Sequence, residues 1–270
     1  MRNYILLSIF VFIVFNGNAQ NIGQEGDSLL NYTDINGLRQ GLWKKKYANG
    51  ALLYEAYFVD NKPVGDFKKY DKTGYLTVLM VYDKNGEYAR ATFYHSNGKP
   101  AGIGNYQEKN KDSIWNYYDE GGILYLQESY KNGINHGAFK HFNSQKALVE
   151  ETYWKDGVKD GSWKKFFQDG KIMWESTYVK GKLEGKAISY YNSGNVYKDG
   201  AFKADLMEGE WRTYDENGKL ERVYQYTKGV SPAADADNEE MMKELYKNKD
   251  QIKGPRNAND VDWLRGVKEY

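Results

Sequence analysis

The sequence predicts an all-β fold: tandem hairpins forming an elongated, twisted antiparallel meander, closed at its C-terminal end by a short helical cap. Three observations predict it. A single 24-residue period runs without insertion or deletion from Gly41 to about Val230, giving eight copies that begin at Gly41, Gly65, Ala89, Ser113, Gly137, Gly161, Gly185 and Gly209. Aromatic residues make up 16% of the chain, 25 of them tyrosines, beside 28 glycines and 4 prolines; rings suit a pleated surface, and glycine suits turns that need positive φ. One hairpin of this size cannot bury enough apolar surface to stand alone, so neighbouring copies must stack.

Taking the elements in order, residues 1–19 differ in character from the rest. Arg2 precedes an almost unbroken apolar run from Tyr4 to Phe15, and Gly17 and Ala19 place small residues before Gln20. This is the pattern of a secretory signal cleaved between Ala19 and Gln20, and the run is short for a membrane span. No cysteine follows it, so a lipid-modified N-terminus is excluded chemically and an exported chain must hold together without disulfides. Residues 20–40 form a lead-in linker, with Tyr32 to Ile35 able to add an edge strand.

Within the repeat region, 41–230, each recurring residue has a physical cause. Position 3 holds Trp43, Phe67, Ala91, Trp115, Phe139, Trp163, Ala187 and Trp211, and position 18 is aromatic in every copy, from Phe58 to Tyr226. Position 10 is glycine except at Lys146. A turn such as Asp215-Glu216-Asn217-Gly218 then gives a three-residue hairpin loop, with Asp or Asn capping its start and Gly in the left-handed conformation. That loop registers the aromatic position 6 opposite the aliphatic position 12. A second turn carries Gly, Asn or Asp at position 21, with Lys109 the exception and an irregular turn expected there. Alternation places positions 3 and 6 on opposite faces, and we expect the sheet to curl over one side of itself. Copy three, with Ala89, Ala91 and Pro100, is the least regular; Pro100 should lie on a bent or edge strand, and the array is expected to kink there.

The register stops at Ser231-Pro232, and residues 231–270 form a helical tail or cap. Asp237 to Lys249 reads as a helix capped by Asp237, its apolar side formed by Met241, Met242, Leu245 and Tyr246. A second short helix is expected from Asp260 to Lys268.

Charge excludes some functions. The chain has 38 basic and 37 acidic side chains, and removing Arg2 with the leader leaves the two equal in number. Such balance gives no field that would gather nucleic acid. After leader cleavage no apolar run is long enough for an integral membrane helix. The three histidines, His95, His136 and His141, lack metal-site spacing, and there is neither a cysteine nucleophile nor a Gly-x-Ser-x-Gly elbow. Gly102-Ile103-Gly104 lacks the remainder of a dinucleotide motif. Acids recur at position 15 (Glu55, Glu151, Glu175, Asp199), which suits a solvated cross-strand contact better than catalysis; bases recur at position 4 (Lys44, Lys68, Lys140, Lys164, Arg212), a row that could meet phosphates or acidic lipid but, with offsetting acidic rows, reads as a plain solvated face. Asp235 to Glu240 only faintly matches a calcium loop. No cofactor, metal or catalytic residue is expected.

The pattern Gly-x-Trp-x-x-Tyr-x-x-x-Gly-x-Leu, clearest from Gly161 to Ile172 and from Gly209 to Leu220, resembles MORN repeats in their bacterial variant form. That resemblance spans about 190 of the 270 residues. It implies an interaction scaffold rather than an enzyme; the antitoxin-like role attached to some such proteins fits poorly with an export signal. The expected function is therefore a non-catalytic scaffold that binds another envelope or extracellular protein. The alternative is a carbohydrate or cell-wall module using the ring rows Trp43, Phe67, Trp115, Phe139, Trp163 and Trp211 as a stacking ladder. Rings open to water would favour glycan, and rings packed between hairpins would favour protein.

Overall fold

The structure, a computed structural model, describes residues 24–25 and 28–247. The signal segment 1–19 and the second tail helix expected at 260–268 lie outside the described residues. Nineteen antiparallel strands, from Tyr32–Thr33 to Leu220–Tyr226, form one sheet in chain order. Among the described residues no ladder joins Leu220–Tyr226 back to Tyr32–Thr33, so the sheet is an open ribbon with two ends.

Each copy is a hairpin, typified by Val158–Phe166 paired with Ile172–Val179. The first turn forms as the sequence predicts. In every copy the amide at position 7 donates to the carbonyl at position 11, as Phe167 does to Lys171 at 2.8 Å, and position 10 takes a positive φ. Even Lys146 adopts φ +65°, because the loop geometry imposes what glycine would take freely. Position 6 faces position 12 in all eight copies, from Lys46 opposite Leu52 to Tyr214 opposite Leu220.

In six of the eight copies the second turn is a two-residue hairpin in which both residues have positive φ, as at Asp156 (+50°) and Gly157 (+85°); in copy three Glu108 is positive and Lys109 is not, so that turn is irregular as expected. The strand before it anchors it twice. The amide of Gly181 donates to the Lys159 carbonyl at 2.8 Å, and that of Ala204 to the Glu184 carboxylate at 2.9 Å, with equivalents in other copies.

Position 1, for which the sequence suggested no role, sets the sheet's geometry. Gly65, Ser113, Gly161 and Gly209 have positive φ and lie inside a β-bulge: between Trp154↔Lys159 and Thr152↔Trp163 one strand advances by two residues and the other by four. Ala89 resists positive φ, and its strand pairs without a bulge. The extra residues are moved into the turn of copy two, where Asp83 pairs with Tyr88 around a longer loop and positive φ falls on Gly86 rather than on Asn85 as expected. The 24-residue period survives because the bulge and the longer loop use the same number of residues. Pro100 does not sit on an edge strand. It is the first residue of Pro100–Gln107, a strand paired on both sides, where a missing donor leaves the ladder intact.

The N-terminal end follows expectation and the C-terminal end departs from it. The lead-in adds the strand Tyr32–Thr33, and Asn31 closes the N-terminal edge, its amide donating to the Leu42 carbonyl while its side chain accepts from the Lys44 amide at 2.8 Å. The C-terminal helix runs Pro232–Lys247, starting earlier than the Asp237 predicted. Ser231 precedes it and Pro232 is its first residue, where proline's fixed φ and missing N–H cost nothing. Ala234 is buried, whereas Met241 and Met242, expected on the packed side, are exposed.

Candidate interaction surfaces

The two faces of the ribbon have different jobs. Positions 3 and 16 alternate across the inner face from strand to strand, so that Ala91, Gly104 and Trp115 are successive neighbours, as are Ala187, Gly200 and Trp211. Alanine at position 3 is therefore not a degenerate copy. With glycine opposite it, it leaves room for the next copy's indole. A Cβ on Gly104 would lie 2.2 Å from the Trp115 ring, and one on Gly200 2.1 Å from the Trp211 ring. Trp115 and Trp211 are accordingly 0% and 2% exposed, and their indole N–H groups donate to the carbonyls of Asn105 and Ala201.

The six ring residues expected to form a binding ladder are placed in this packing. Trp115, Phe139, Trp163 and Trp211 are buried, and Trp43 and Phe67 half-buried. Each touches rings at position 18 or 14: Trp43 packs on Phe58, Tyr54 stacks on Phe67, Phe139 on Trp154, Trp163 on Tyr178, and Trp211 on Phe202. Among the described residues substantial contacts run between neighbouring strands, so the rings are covered by rings of their own hairpin and of the adjoining one, and not by a fold-over of the whole sheet. These rings pack within and between adjacent copies and present no open platform.

One polar cluster is set into this row. The Lys111 ammonium lies 4.6 Å above the Trp115 ring and donates to the Tyr117 hydroxyl at 2.6 Å, while Tyr130 donates to the Glu128 carboxylate at 2.6 Å. Burial pushes the Lys111 ammonium below its usual range, opposed by the Glu128 charge. Burial first, then Glu128, pushes the Tyr117 and Tyr130 phenols well above theirs. The half-buried carboxylate is thus matched by one cation and two phenols.

The outer face bears out position 15 as a cross-strand contact, and the partner it meets is position 4. Lys140 pairs with Glu151 at 3.3 Å, and Arg212 approaches Asp199 at 4.0 Å. Position-6 hydroxyls join the same row, Tyr70 donating to Glu55 at 3.1 Å and Tyr190 to Glu175 at 2.6 Å. The histidines are apart from one another in separate contacts: His95 against the Tyr118 carbonyl, His136 beside Asp156, and His141 across from Glu150. Among the described residues no group of His, Asp and Glu is arranged to hold a metal. Asp237, in the stretch weighed for calcium, lies on the helix and accepts from Tyr224 at 2.5 Å.

Among the positions that differ from copy to copy, 2 and 17 face outward. Positions 2 and 17 pair across each hairpin, as Leu42↔Tyr57, Asp66↔Val81, Ile114↔Ser129, Ala138↔Tyr153 and Glu210↔Gln225, and no two copies carry the same pair. Tyr57, Val81, Ile114 and Tyr153 are exposed there. Sequence reasoning overlooked this, because attention to the repeat hides positions that do not repeat.

Comparison with known proteins agrees with the geometry. The family described as MORN repeat variant matches residues 39–60, 87–108, 159–180, 183–204 and 207–228. Each match starts at the first strand of a hairpin and ends at its two-residue turn, and the unmatched copies between them keep the same hairpin form. No curated protein matches the chain. Among solved structures, one of a GtfA/B complex bound to UDP and GlcNAc is similar at 17% identity over 44% of this chain, with a TM-score of 0.20. The matched part spans 22% of that protein's chain. Among the described residues no helix is long and apolar enough to cross a membrane.

Proposed function

Starting from a chain that carries MORN-variant repeats in tandem, we propose that it is an exported, non-catalytic scaffold that binds another protein at the cell envelope. The observation that carries this reading is the division of labour between positions. Recurring rings pack within and between hairpins, recurring charges form rows on the outer face, and the outward pair at positions 2 and 17 changes in every copy. A set of outward pairs that never repeats suits an irregular partner such as a folded protein; a regular polymer is matched by evenly spaced identical contacts. The carbohydrate alternative would need its rings elsewhere than position 3, and the exposed tyrosines Tyr57, Tyr75, Tyr88, Tyr125 and Tyr153 occupy four different repeat positions. Export is supported by the leader-like segment before Gln20.

The test is photo-crosslinking in the native host, with benzoylphenylalanine at Tyr57, Ile114 or Tyr153, followed by mass spectrometry of adducts and of the mature N-terminus. One recurrent protein adduct and a chain starting at Gln20 are the expected results. Absence of any protein adduct, together with sedimentation of the purified chain, residues 20–270, on peptidoglycan, would replace this reading with the carbohydrate one.

A further inference from the structure

We infer that the inner face carries a basic lane that receives an acidic segment of the partner protein. This rests on the protein-binding reading and gives that partner a chemistry and a second place of contact.

Charge is balanced over the whole chain but not between the two faces. On the outer face, positions 4 and 15 form one row across the strands in which base alternates with acid, as in Lys140, Glu151, Lys164 and Glu175. On the inner face, positions 5 and 14 form the matching row, unbroken from Lys45 to Arg222. It holds Lys45, Lys69, Lys165, Lys198 and Arg222 against one carboxylate, Glu150, which already accepts from the Trp163 indole at 2.6 Å. From Lys165 onward the row continues through Trp174, Ser189, Lys198 and Thr213 to Arg222 with no acid in it. The Lys165 and Lys198 ammonium groups lie over the Trp163 and Trp211 rings, each at 5.1 Å, and neither forms an ion pair among the described residues. Burial lowers the Lys198 ammonium below its usual range with nothing opposing it, whereas Glu128 opposes the same effect at Lys111. A half-buried cation without a counter-ion favours an arriving carboxylate.

Charge and spacing identify the occupant. The inner face of a second copy would bring like charges together, and the chain's own residues 248–270 hold five basic against four acidic side chains, so neither supplies the missing carboxylates. Lys165 and Lys198 are three strands apart and Lys198 and Arg222 two, about 14 Å and about 10 Å. A regular polyanion repeats at one spacing, whereas a protein segment can place its acids unevenly. The chain contains one example of such a segment on this face. Residues 232–243 of the C-terminal helix carry four acids and one lysine, and Asp237 accepts from Tyr224, the inner-face neighbour of Trp211, at 2.5 Å. Held by that bond and by the buried Ala234, the helix packs on the last strand, at the end of the lane.

The probe is a fluorescein-labelled peptide of eight glutamates, added to purified residues 20–270 at low ionic strength and followed by anisotropy. We expect saturable binding that weakens at least fivefold in Lys165→Gln and in Lys198→Gln and stays within twofold in Lys198→Arg. Lys164→Gln and Lys140→Gln remove the same charge from the outer face and should change it less than twofold. Circular dichroism confirms that the variants fold. Equal losses from inner and outer variants would overturn the inference, because the peptide would then report net charge alone. Tighter binding of octagalacturonate, with its carboxylates on a stiff regular backbone, would also overturn it. So would co-sedimentation with phosphatidylglycerol vesicles, or dimers in sedimentation velocity, that Lys198→Gln abolishes. Crosslinking in the native host, with benzoylphenylalanine at Thr213, separates the two readings. A protein adduct from Tyr57 with none from Thr213 rejects the lane alone, and adducts from neither reject both.

Discussion

Gly102 and Gly104 are two residues apart on one strand, and the structure predicts opposite outcomes when each becomes alanine. At Gly104 a Cβ would lie 2.2 Å, 2.3 Å and 2.5 Å from three atoms of the Trp115 indole. Apolar carbons rest at about 3.5–4.0 Å, so the ring must retreat by roughly 1.5 Å. It has no free path, with Tyr106 at 5.1 Å, Phe93 at 5.8 Å and the Lys111 ammonium at 4.6 Å around it. Overpacking of this kind costs about 1–3 kcal/mol, offset by about 0.4–1 kcal/mol from the stiffer unfolded chain. At Gly102 the nearest atom is Tyr117 Cδ1 at 3.4 Å, an ordinary contact, and φ there is not positive. Gly102→Ala should therefore be neutral or stabilising by up to about 1 kcal/mol, which makes the two variants differ by about 1–3 kcal/mol. Urea unfolding followed by far-UV circular dichroism measures the difference, and the near-UV spectrum reports the Trp115 environment. Equal midpoints for Gly102→Ala and Gly104→Ala would refute the packing argument, because nothing else separates two glycines of the same strand and face.

Four further outcomes are expected. Gly185→Ala, at φ +79° with open space around it, should lose about 1–2 kcal/mol from backbone strain alone, whereas Ala89→Gly, on an unbulged strand, should lose less than about 1 kcal/mol by urea titration. Burial first, then the Glu175 hydrogen bond, pushes the Tyr190 phenol up to about 12. Its contribution is full below the ordinary tyrosine value of 10.0 and is lost as pH rises from there through about 12, so the alkaline fall of the urea midpoint should be shallower in Tyr190→Phe. Asp237→Ala removes the Tyr224 hydrogen bond and should cost about 1 kcal/mol, with faster proteolysis within Pro232–Lys247 as the readout. Lys140→Ala should cost under about 1 kcal/mol and less at high salt, since its pair with Glu151 is partly solvated; a larger, salt-independent loss would mean that the outer row is structural.

The repeat, its period, both turns, the pairing of positions 6 and 12 and the family were all legible in the sequence, because each depends on local chemistry. Glycine at position 10 and the Gly, Asn or Asp at position 21 answer to φ within a few bonds, and the hairpin register follows from loop length. Acids at position 15 read as a cross-strand contact by recurring, but that bases at position 4 are their partners came from the register. Other features required the tertiary arrangement. Whether the position-3 rings face water or each other depends on what the next strand places above them, and Gly104 and Gly200 become intelligible only once Trp115 and Trp211 lie over them. The role of Gly161 and its equivalents came from a bulge visible only in the register between two strands, and the exposure of Leu220 and Val223 from there being no neighbouring strand among the described residues. A single strand's sequence specifies its own backbone well, but burial belongs to pairs of strands, which one strand's residues do not contain.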